Sequence, residues 1–374
     1  MFGQSMVKTI QVQLIEKATG VITGHIQVQD RGVKDYKFPE KYVLDPAAVE
    51  RAILKTPNVE AFEKRIQVTG MISSEKESSG VFICGVEPEK DLRITTMHSY
   101  LSAGRYVSDG AREIFIGDDL AEQLHAGLGS EVVLLATASD GSLGAEKLRV
   151  TGLFHSGSES FDAYIVYVPL SVLQGMLVVE GQANNVVLRL KDPLRLEETR
   201  AALVEALGKE PVKAVTWEEI DHELVAVRDY QNKVLGIVLL VVFLIVAMGI
   251  LNTLLMSMFE RIREFGLLKA IGARPARIVR LILLESCILG ALGSLLGLSA
   301  GIALIVYYRR AGLALPIGEA VRYFMPFPAV LYMRFNWTTH LEALAAVFVS
   351  CVLAALPPAF RAARLKAADA LRHI

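Results

Sequence analysis

Gly208 with Lys209, His222 with Glu223, and the run from His155 to Asp162 are where residue type and spacing come nearest to chemistry in this sequence. A glycine followed by lysine could close a phosphate-cradling loop, but Glu210 comes next, and position 203 is Leu where such a loop needs its first glycine. His222 and Glu223 open a zinc-hydrolase pattern whose second histidine belongs one helical turn on, where Ala226 stands. "HSGSESFD" sets serine and histidine near acids without the glycine-framed elbow that exposes a nucleophile, so it reads as a polar loop. Of the cysteines, Cys84 stands in the polar part and Cys287 and Cys351 in apolar runs, which leaves no disulfide within the polar part and no metal cluster. No catalytic, cofactor-binding or metal-binding residue is assigned, and no enzyme is expected.

The elements that would position any site are dominated by apolar runs near one end. The chain has 374 residues, 52% hydrophobic, with a formal charge of -1, and no nucleic-acid partner is expected. Val234–Phe259 carries no charge, and Leu281–Tyr308 carries only Glu285. At about 1.5 Å per residue each run reaches roughly 40 Å, more than a hydrocarbon core of about 30 Å. A third run covers 341–360, free of charge from Ala343 to Phe360, and Trp337 with the tyrosines and phenylalanines of 323–335 precedes it as an interfacial belt would. Three membrane helices are expected, at about 234–259, 281–308 and 341–360.

Between the first two runs lies "FERIREFGLLKAIGARPARIVR", where Arg261, Arg263, Lys269, Arg274, Arg277 and Arg280 face only Glu260 and Glu264. Short basic loops stay in the cytoplasm, so 260–280 is expected there. Parity then puts 309–340 outside and the tail 361–374 inside, in keeping with Arg361, Arg364, Lys366 and Arg372, while Arg309, Arg310, Arg322 and Arg334 dilute the asymmetry. Residues 1–232 are expected to form an extracytoplasmic domain, followed by a membrane domain over 233–374. An exported domain of this size needs a signal, and "MFGQSMVKTIQVQLIEKATG" has no apolar core. Residues 1–18 are therefore read as the outer end of a helix whose membrane portion lies upstream, a fourth span; the alternative is a three-helix protein that inserts its first domain unaided.

That domain reads as mixed α/β. "ITGHIQVQD" and "KRIQVTGMI" alternate as strands do, "GVFICGV", "SEVVLLAT" and "KLRVTGLF" are apolar strands, and "EIFIGDDLAEQLHAG" is a strand with a helix. "DPAAVERAILKT" has Asp45 as N-cap, Pro46 at the first helical position and Val49, Ala52 and Ile53 on one face; "RLEETRAALVEALG" stops at Gly208. "AVTWEEIDHELVAVRDYQNKV" reads as a polar helix leading into the first span. Within the second run Gly293, Gly297 and Gly301 recur every four residues with Gly290 nearby, which lets another helix approach closely, in this chain or in a second copy. Glu285 is read as reaching the cytoplasmic surface or capping the loop, not as a proton carrier.

"NTLLMSMF", "ERIREFGLLKAIGA", "LLESCILGALGSLLGLSAGI" and "LPPAFRAARLKAADALR", together with "GHIQVQ", "EIFIGDDLAEQL", "GLGSEVVLL" and "VTWEEI", resemble FtsX-like permeases of the MacB and lipoprotein-releasing (LolC/LolE) type of ABC transporter. Such permeases have four membrane helices with the large domain between the first and second, and the absence of the first here matches the parity argument. The resemblance implies a permease subunit whose cytoplasmic segment rests on a separate ATPase. Arg261, Arg263, Glu264 and Lys269 would make its polar contacts and Phe265, Leu267, Leu268 and Ile271 would fill a groove, within a coupling stretch that also holds Glu260, Gly266, Ala270, Gly272 and Ala273. ATP and magnesium would bind that partner, with no cofactor in this chain. The further partners implied are a second permease copy, a periplasmic adaptor or lipoprotein carrier, and membrane lipid in the cell inner membrane. ATP-driven mechanotransmission to the outer domain, for lipoprotein release or export of an envelope substrate, is the expected function. The alternatives are an FtsX-like regulator of cell-wall hydrolases and an anchored sensor without an ATPase.

Overall fold

The computed structural model describes residues 2–314, 330–335 and 337–364. The expectations that touch Arg322, the aromatic residues of 323–329, and Lys366 and Arg372 lie outside these described residues. The chain divides into an α/β unit, Val12–Ala226 with 315–329, and a helical unit, Met1–Gln11, Val227–Ala314 and Val330–Ile374.

The strands are β1 (Ile26–Asp30), β2 (Val59–Ser73), β3 (Ser78–Val86), β4 (Leu101–Gly104), β5 (Glu113–Gly117), β6 (Glu131–Thr137), β7 (Leu143–Phe154), β8 (Ile165–Pro169), β9 (Asn185–Leu190) and β10 (Val212–Thr216), with a short pair β11 (Leu313–Ala314) and β12 (Val330–Leu331). The helices are α1 (Phe2–Ala18), α2 (Pro46–Lys55), α3 (Pro88–Ile94), α4 (Asp118–Gln123), α5 (Glu159–Asp162), α6 (Leu170–Leu177), α7 (Leu196–Leu207), α8 (Trp217–Ile220), α9 (His222–Glu260), α10 (Ile262–Ala270), α11 (Pro275–Ala311) and α12 (Trp337–Arg364).

The α/β unit is built on one sheet path, β10-β1-β9-β2-β3-β8-β5-β7-β4, with β6 bridging β2 and β7. Its long strand β2 serves two halves. Val59 to Arg65 pair antiparallel with β9, and from Ile66 onward the partner is β3. The first half packs Ile26, Val28 and Leu188 against Ile53 of α2 and Leu203 of α7. The second half has an aliphatic core of Ile66, Ile83, Ile114, Val166 and Leu173 and a separate aromatic cluster of Phe82, Phe115, Phe154 and Tyr167.

Local chemistry explains several elements. Asp45 caps α2 by accepting the Ala48 amide at 2.9 Å, Pro46 lies in the first turn, and Val49, Ala52 and Ile53 are buried. Gly208 stops α7 with φ of 59°, a left-handed value that glycine adopts at little cost. Two expectations change. Ala214 to Thr216 belong to β10, because antiparallel pairing with β1 captures them before the helical stretch begins. Gln27 and Gln29 of the alternating β1 segment are buried, not solvent-facing: Gln27 donates to the Thr23 carbonyl and Gln29 to the Tyr36 carbonyl, so a polar layer lines the face opposite Ile26 and Val28.

Among the described residues three helices are long and apolar enough to cross a membrane, within His222–Glu260, Pro275–Ala311 and His340–Arg364. The helix α12 continues through Pro357 and Pro358. The start of α1 packs within this unit, where Thr9 Oγ1 accepts the Arg334 amide at 3.2 Å and Gln11 donates to Asn232 at 3.0 Å. The protein is thus a membrane protein with an α-helical spanning region and a large α/β domain.

Candidate functional site

The segment between the first two spans is a helix framed by two sequence-coded breaks. Arg261 leaves helical geometry after α9, and Phe265 N–H bonds back to its carbonyl. At the far end Gly272 adopts φ of 88°, its amide donates to the Lys269 carbonyl at 3.0 Å, and the Ala273 amide donates to the Leu268 carbonyl at 2.9 Å. This is a Schellman motif, which satisfies the last carbonyls of α10. Arg274, held extended before Pro275, then starts α11. The sequence "AIGARPAR" thus encodes a stop, a turn and a new start.

One face of α10 is committed inward. Phe265 is buried with Met258, Ile278, Ile282, Ala359 and Ala362, and Gly266 is buried beside it. The Lys269 ammonium donates to the Ala363 carbonyl of α12. Arg261 pairs with Glu264 at 2.9 Å and reaches Glu285 of α11 at 3.5 Å. These contacts correct part of the expected coupling set: Phe265 and Gly266 pack within the chain, and Lys269 is half-buried against α12, because the apolar stripe of a short amphipathic helix must cover the bundle it lies on. The opposite face stays open. Glu260, Arg263, Glu264, Leu267, Ala270, Ile271 and Gly272 are exposed, Leu267 at 58% and Ile271 at 74%, with Leu268 and Ala273 between the two faces. Arg274, Arg277 and Arg280 extend that exposed basic surface along the turn and the start of α11. Glu285 reaches the loop through Arg261, in line with its reading as a loop-capping group.

The glycines of α11 divide in the same way. Its buried positions are Ile278, Ile282, Ser286, Gly290, Ser294, Gly301 and Ile305, and the helix packs extensively against α12. A Cβ on Gly290 would lie 3.2 Å from the Cys351 Cβ, and Ser286 Oγ donates to the Cys351 carbonyl at 3.1 Å. Gly293 and Gly297 are exposed, with nothing among the described residues within 4 Å of a Cβ built there. The glycines of the expected packing stripe thus divide: Gly290 and Gly301 are buried inside the chain, and Gly293 and Gly297 are exposed on it.

The catalytic-looking fragments keep structural roles. Asp162 accepts the Ser156 amide at 2.9 Å and lies 3.4 Å from His155 Nδ1; its pKa is raised, chiefly by burial. Burial also pushes the Cys84 thiol up to about 12, away from reactivity at neutral pH. Gly208 caps α7, and no group of three or more metal-ligating side chains is assembled among the described residues.

Spanning helices, a framed polar helix between them and a separate α/β domain define a multi-pass membrane protein of the permease class. The family descriptions that match are the MacB-like periplasmic core domain over residues 1–206 and the FtsX-like permease C-terminal region over 236–367, and the chain belongs to this family of ABC transporter permeases. It is 24% identical over 331 residues to the lipoprotein-releasing system transmembrane protein LolC of Xylella fastidiosa, covering 85% of this chain and 78% of that protein. It is 22% identical to LolE of Haemophilus influenzae, covering 86% and 80%. The macrolide export ATP-binding/permease protein MacB of Nitrobacter winogradskyi is 29% identical over 274 residues, 70% of this chain and 38% of that one. The periplasmic region of MacB from Actinobacillus actinomycetemcomitans, 12% identical, aligns with a TM-score of 0.39 over 57% of this chain and 97% of that structure, too loosely to add to the family match.

Proposed function

We propose that the open face of α10 is the surface through which a separate cytoplasmic ATPase drives this permease. The observation that carries the reading is the exposure of Leu267 and Ile271, two large apolar side chains flanked by Arg263 and Glu264, on a helix whose other face is tied to the spans. Apolar anchors ringed by charges suit a protein groove, where central apolar contacts carry affinity and rim charges steer approach. The basic excess of 259–280 favours a cytoplasmic side for this helix, which puts the α/β unit outside the inner membrane.

ATP with magnesium then binds the ATPase, not this chain. Closure of two ATPases draws two permease copies together, and the spanning helices carry the movement to the outer domain. The cargo class is a lipoprotein or another envelope substrate, handed to a periplasmic adaptor or carrier. The relatives named for lipoprotein release favour this over control of cell-wall hydrolases. The test is the full chain co-expressed with a candidate cytoplasmic ABC ATPase from the same genome, comparing wild type, Arg263→Glu with Ile271→Glu, and Lys269→Gln. The first variant should lower ATPase co-purification at least tenfold, since close interfacial charge pairs are worth about 1.5–7 kcal/mol. Lys269→Gln should retain the ATPase. Full co-purification by the double variant, with topology intact by accessibility labelling, would mean that the basic residues only orient the chain.

A further inference from the structure

Strand β2 changes partner between Arg65, paired with Asn185 of β9, and Ile66, paired with Gly85 of β3. At this joint sit Glu63 and Arg65, wholly buried, and Asp91 of α3, 1% exposed. The Arg65 guanidinium donates through Nε to Glu63 and through Nη2 to Asp91 at 2.6 Å. Asp91 also accepts the Tyr106 hydroxyl at 2.7 Å and the Thr95 hydroxyl at 2.8 Å. Glu63 Oε2 has no donor among the described residues, and the Glu63 and Asp91 carboxyls flank the same guanidinium. The same helix is tied to β9 by Arg189, which donates to the Ile94 carbonyl at 2.8 Å. On the next residue of β2 with the same orientation, Asn184 satisfies both the amide and the carbonyl of Gln67, where β2 has left β9.

We propose that Glu63, Arg65 and Asp91 form a proton-holding pin that fixes the two halves of the α/β unit to each other at the β2 joint, with the proton resident on Glu63. Two carboxyls flank one guanidinium in a site closed to water, so full ionisation would leave one negative charge without compensation. Asp91 has three donors, whereas Glu63, with one donor and an oxygen that has none among the described residues, keeps the proton. Among the described residues, the groups around the pin supply no second cation. They are Cys84 of β3, Tyr167 of β8 and Tyr106 after β4, while Arg189 of β9 is engaged with Glu60.

Burial first, then the Asp91 charge, raises the pKa of Glu63 well above the ordinary carboxyl range, against the opposing pull of Arg65. The folded state therefore retains a proton that the unfolded or opened state releases above about pH 4.3. Stability from the pin is complete below that pH and declines as pH rises toward the folded pKa, by about tenfold in the opening equilibrium for each pKa unit of difference. The pin thus loosens as pH rises above about 4.3, which makes the joint between the halves sensitive to the pH of the compartment that bathes this unit. The inference does not depend on the identity of any cargo or ATPase.

Hydrogen exchange of the full chain in nanodiscs, corrected for intrinsic rate and read on peptides covering 59–73 and 88–94, tests it between pH 5 and pH 9. Wild type should lose protection as pH rises, by about tenfold or more. Glu63→Gln, an isostere of the protonated carboxyl, should hold protection flat. Asp91→Asn should also flatten the profile, because the negative charge of Glu63 is then compensated by Arg65. In infrared spectra, wild type minus Glu63→Gln should retain a protonated-carboxyl band at pH 7. A flat wild-type profile, an unchanged slope in either variant, or absence of that band would overturn the proposal; if Glu63→Gln does not fold, the wild-type and Asp91→Asn profiles still decide it.

Discussion

In the α/β unit Glu63, Arg65, Gln27 and Gln29 are buried, whereas in the helical unit Ile245 is 64% exposed and Met248 70% exposed. None of the most apolar stretch of α9 is buried inside the chain, although its composition matches that of a core. The contrast teaches that burial defines a core only once the solvent is specified. Water surrounds the first unit, so apolar side chains gather inside it and the polar groups trapped there need partners. Lipid suits the second, where apolar side chains gain little by turning inward and close packing falls to small residues such as Ala355, Ala359 and Gly290.

The strongest way to break this comparison is a matched truncation. Ile83→Ala removes a wholly buried side chain from the aliphatic core and should cost about 2–5 kcal/mol. Ile245→Ala, on the open face of α9, should cost under about 1 kcal/mol in lipid. Denaturant unfolding of the full chain in detergent separates the two, because Trp217 reports the α/β unit and Trp337 the helical one. Equal losses would show that α9 is packed as a protein core is.

Glycines sharpen the comparison at the next level of effect. A Cβ on Gly117 would lie 2.0 Å from the Asp162 carbonyl oxygen, a backbone clash that cannot be relieved by a rotamer change. Gly117→Ala should therefore destabilise the α/β unit by about 1–3 kcal/mol, seen as a lower thermal midpoint in Trp217 fluorescence. Gly297→Leu, with open space around it, should leave the stability of a single chain unchanged and act only on association of two copies, read by cross-linking. A fold defect in that variant would contradict the division of glycines on α11.

That division could not be seen in the sequence, and the reason is physical. Glycine marks where close approach is possible, but the face that is used depends on Cys351 and the alanines of α12, some sixty residues away in the chain. Signals confined to one turn were legible, Asp45 with Pro46 for α2 and Gly208 for the end of α7, and so were the long charge-free runs of the spans. The open residues of α10 were named from the sequence, yet so were Phe265 and Lys269, since a nine-residue helix does not announce which side its bundle occupies. The burial of Gln27 and Gln29 and the double pairing of β2 were hidden for a related reason. Alternation tells that two faces differ, not that something covers both.

Titration provides a smaller effect with a defined sign. His25 is brought down to about 4 by burial first and by Arg189 second, and its Nδ1 accepts the Leu190 amide at 3.0 Å, which requires that nitrogen to be unprotonated. The unfolded chain takes up a proton below about pH 6.5 while the folded one does not, so stability is complete above that pH and is lost as pH falls from 6.5 toward 4. The His25 contribution to the slope should approach about 1.4 kcal/mol per pH unit inside that window. It has the opposite sign to the Glu63 contribution, which declines as pH rises above about 4.3, so the two offset each other where the windows overlap. In thermal unfolding followed at Trp217, His25→Gln should unmask the Glu63 decline and Glu63→Gln should leave the full His25 slope; loss of both slopes in either single variant would mean that the two groups do not titrate independently.

The smallest effect is expected at Glu285, the acidic group of the second span. It lies 3.5 Å from Arg261, with side-chain exposures of 38% and 41% within the chain, and Arg261 also holds Glu264 at 2.9 Å. If the pair meets water or headgroups at the membrane boundary, Glu285→Gln removes one arm of a screened pair and should cost about 0.2–1 kcal/mol, because Arg261 keeps its other partner. If hydrocarbon seals the pair, the same change strips a counter-charge from a desolvated guanidinium, and breaking a buried pair costs about 3–5 kcal/mol. Thermal unfolding in nanodiscs, followed by Trp337 fluorescence, distinguishes these outcomes. The expected small loss would put Glu285 among the water-facing charges of the loop, unlike Glu63, where the same glutamate-to-glutamine change alters a pH profile. A loss near the larger figure would extend the rule of the α/β unit, that a buried charge must be fully partnered, into the membrane-spanning part of the chain.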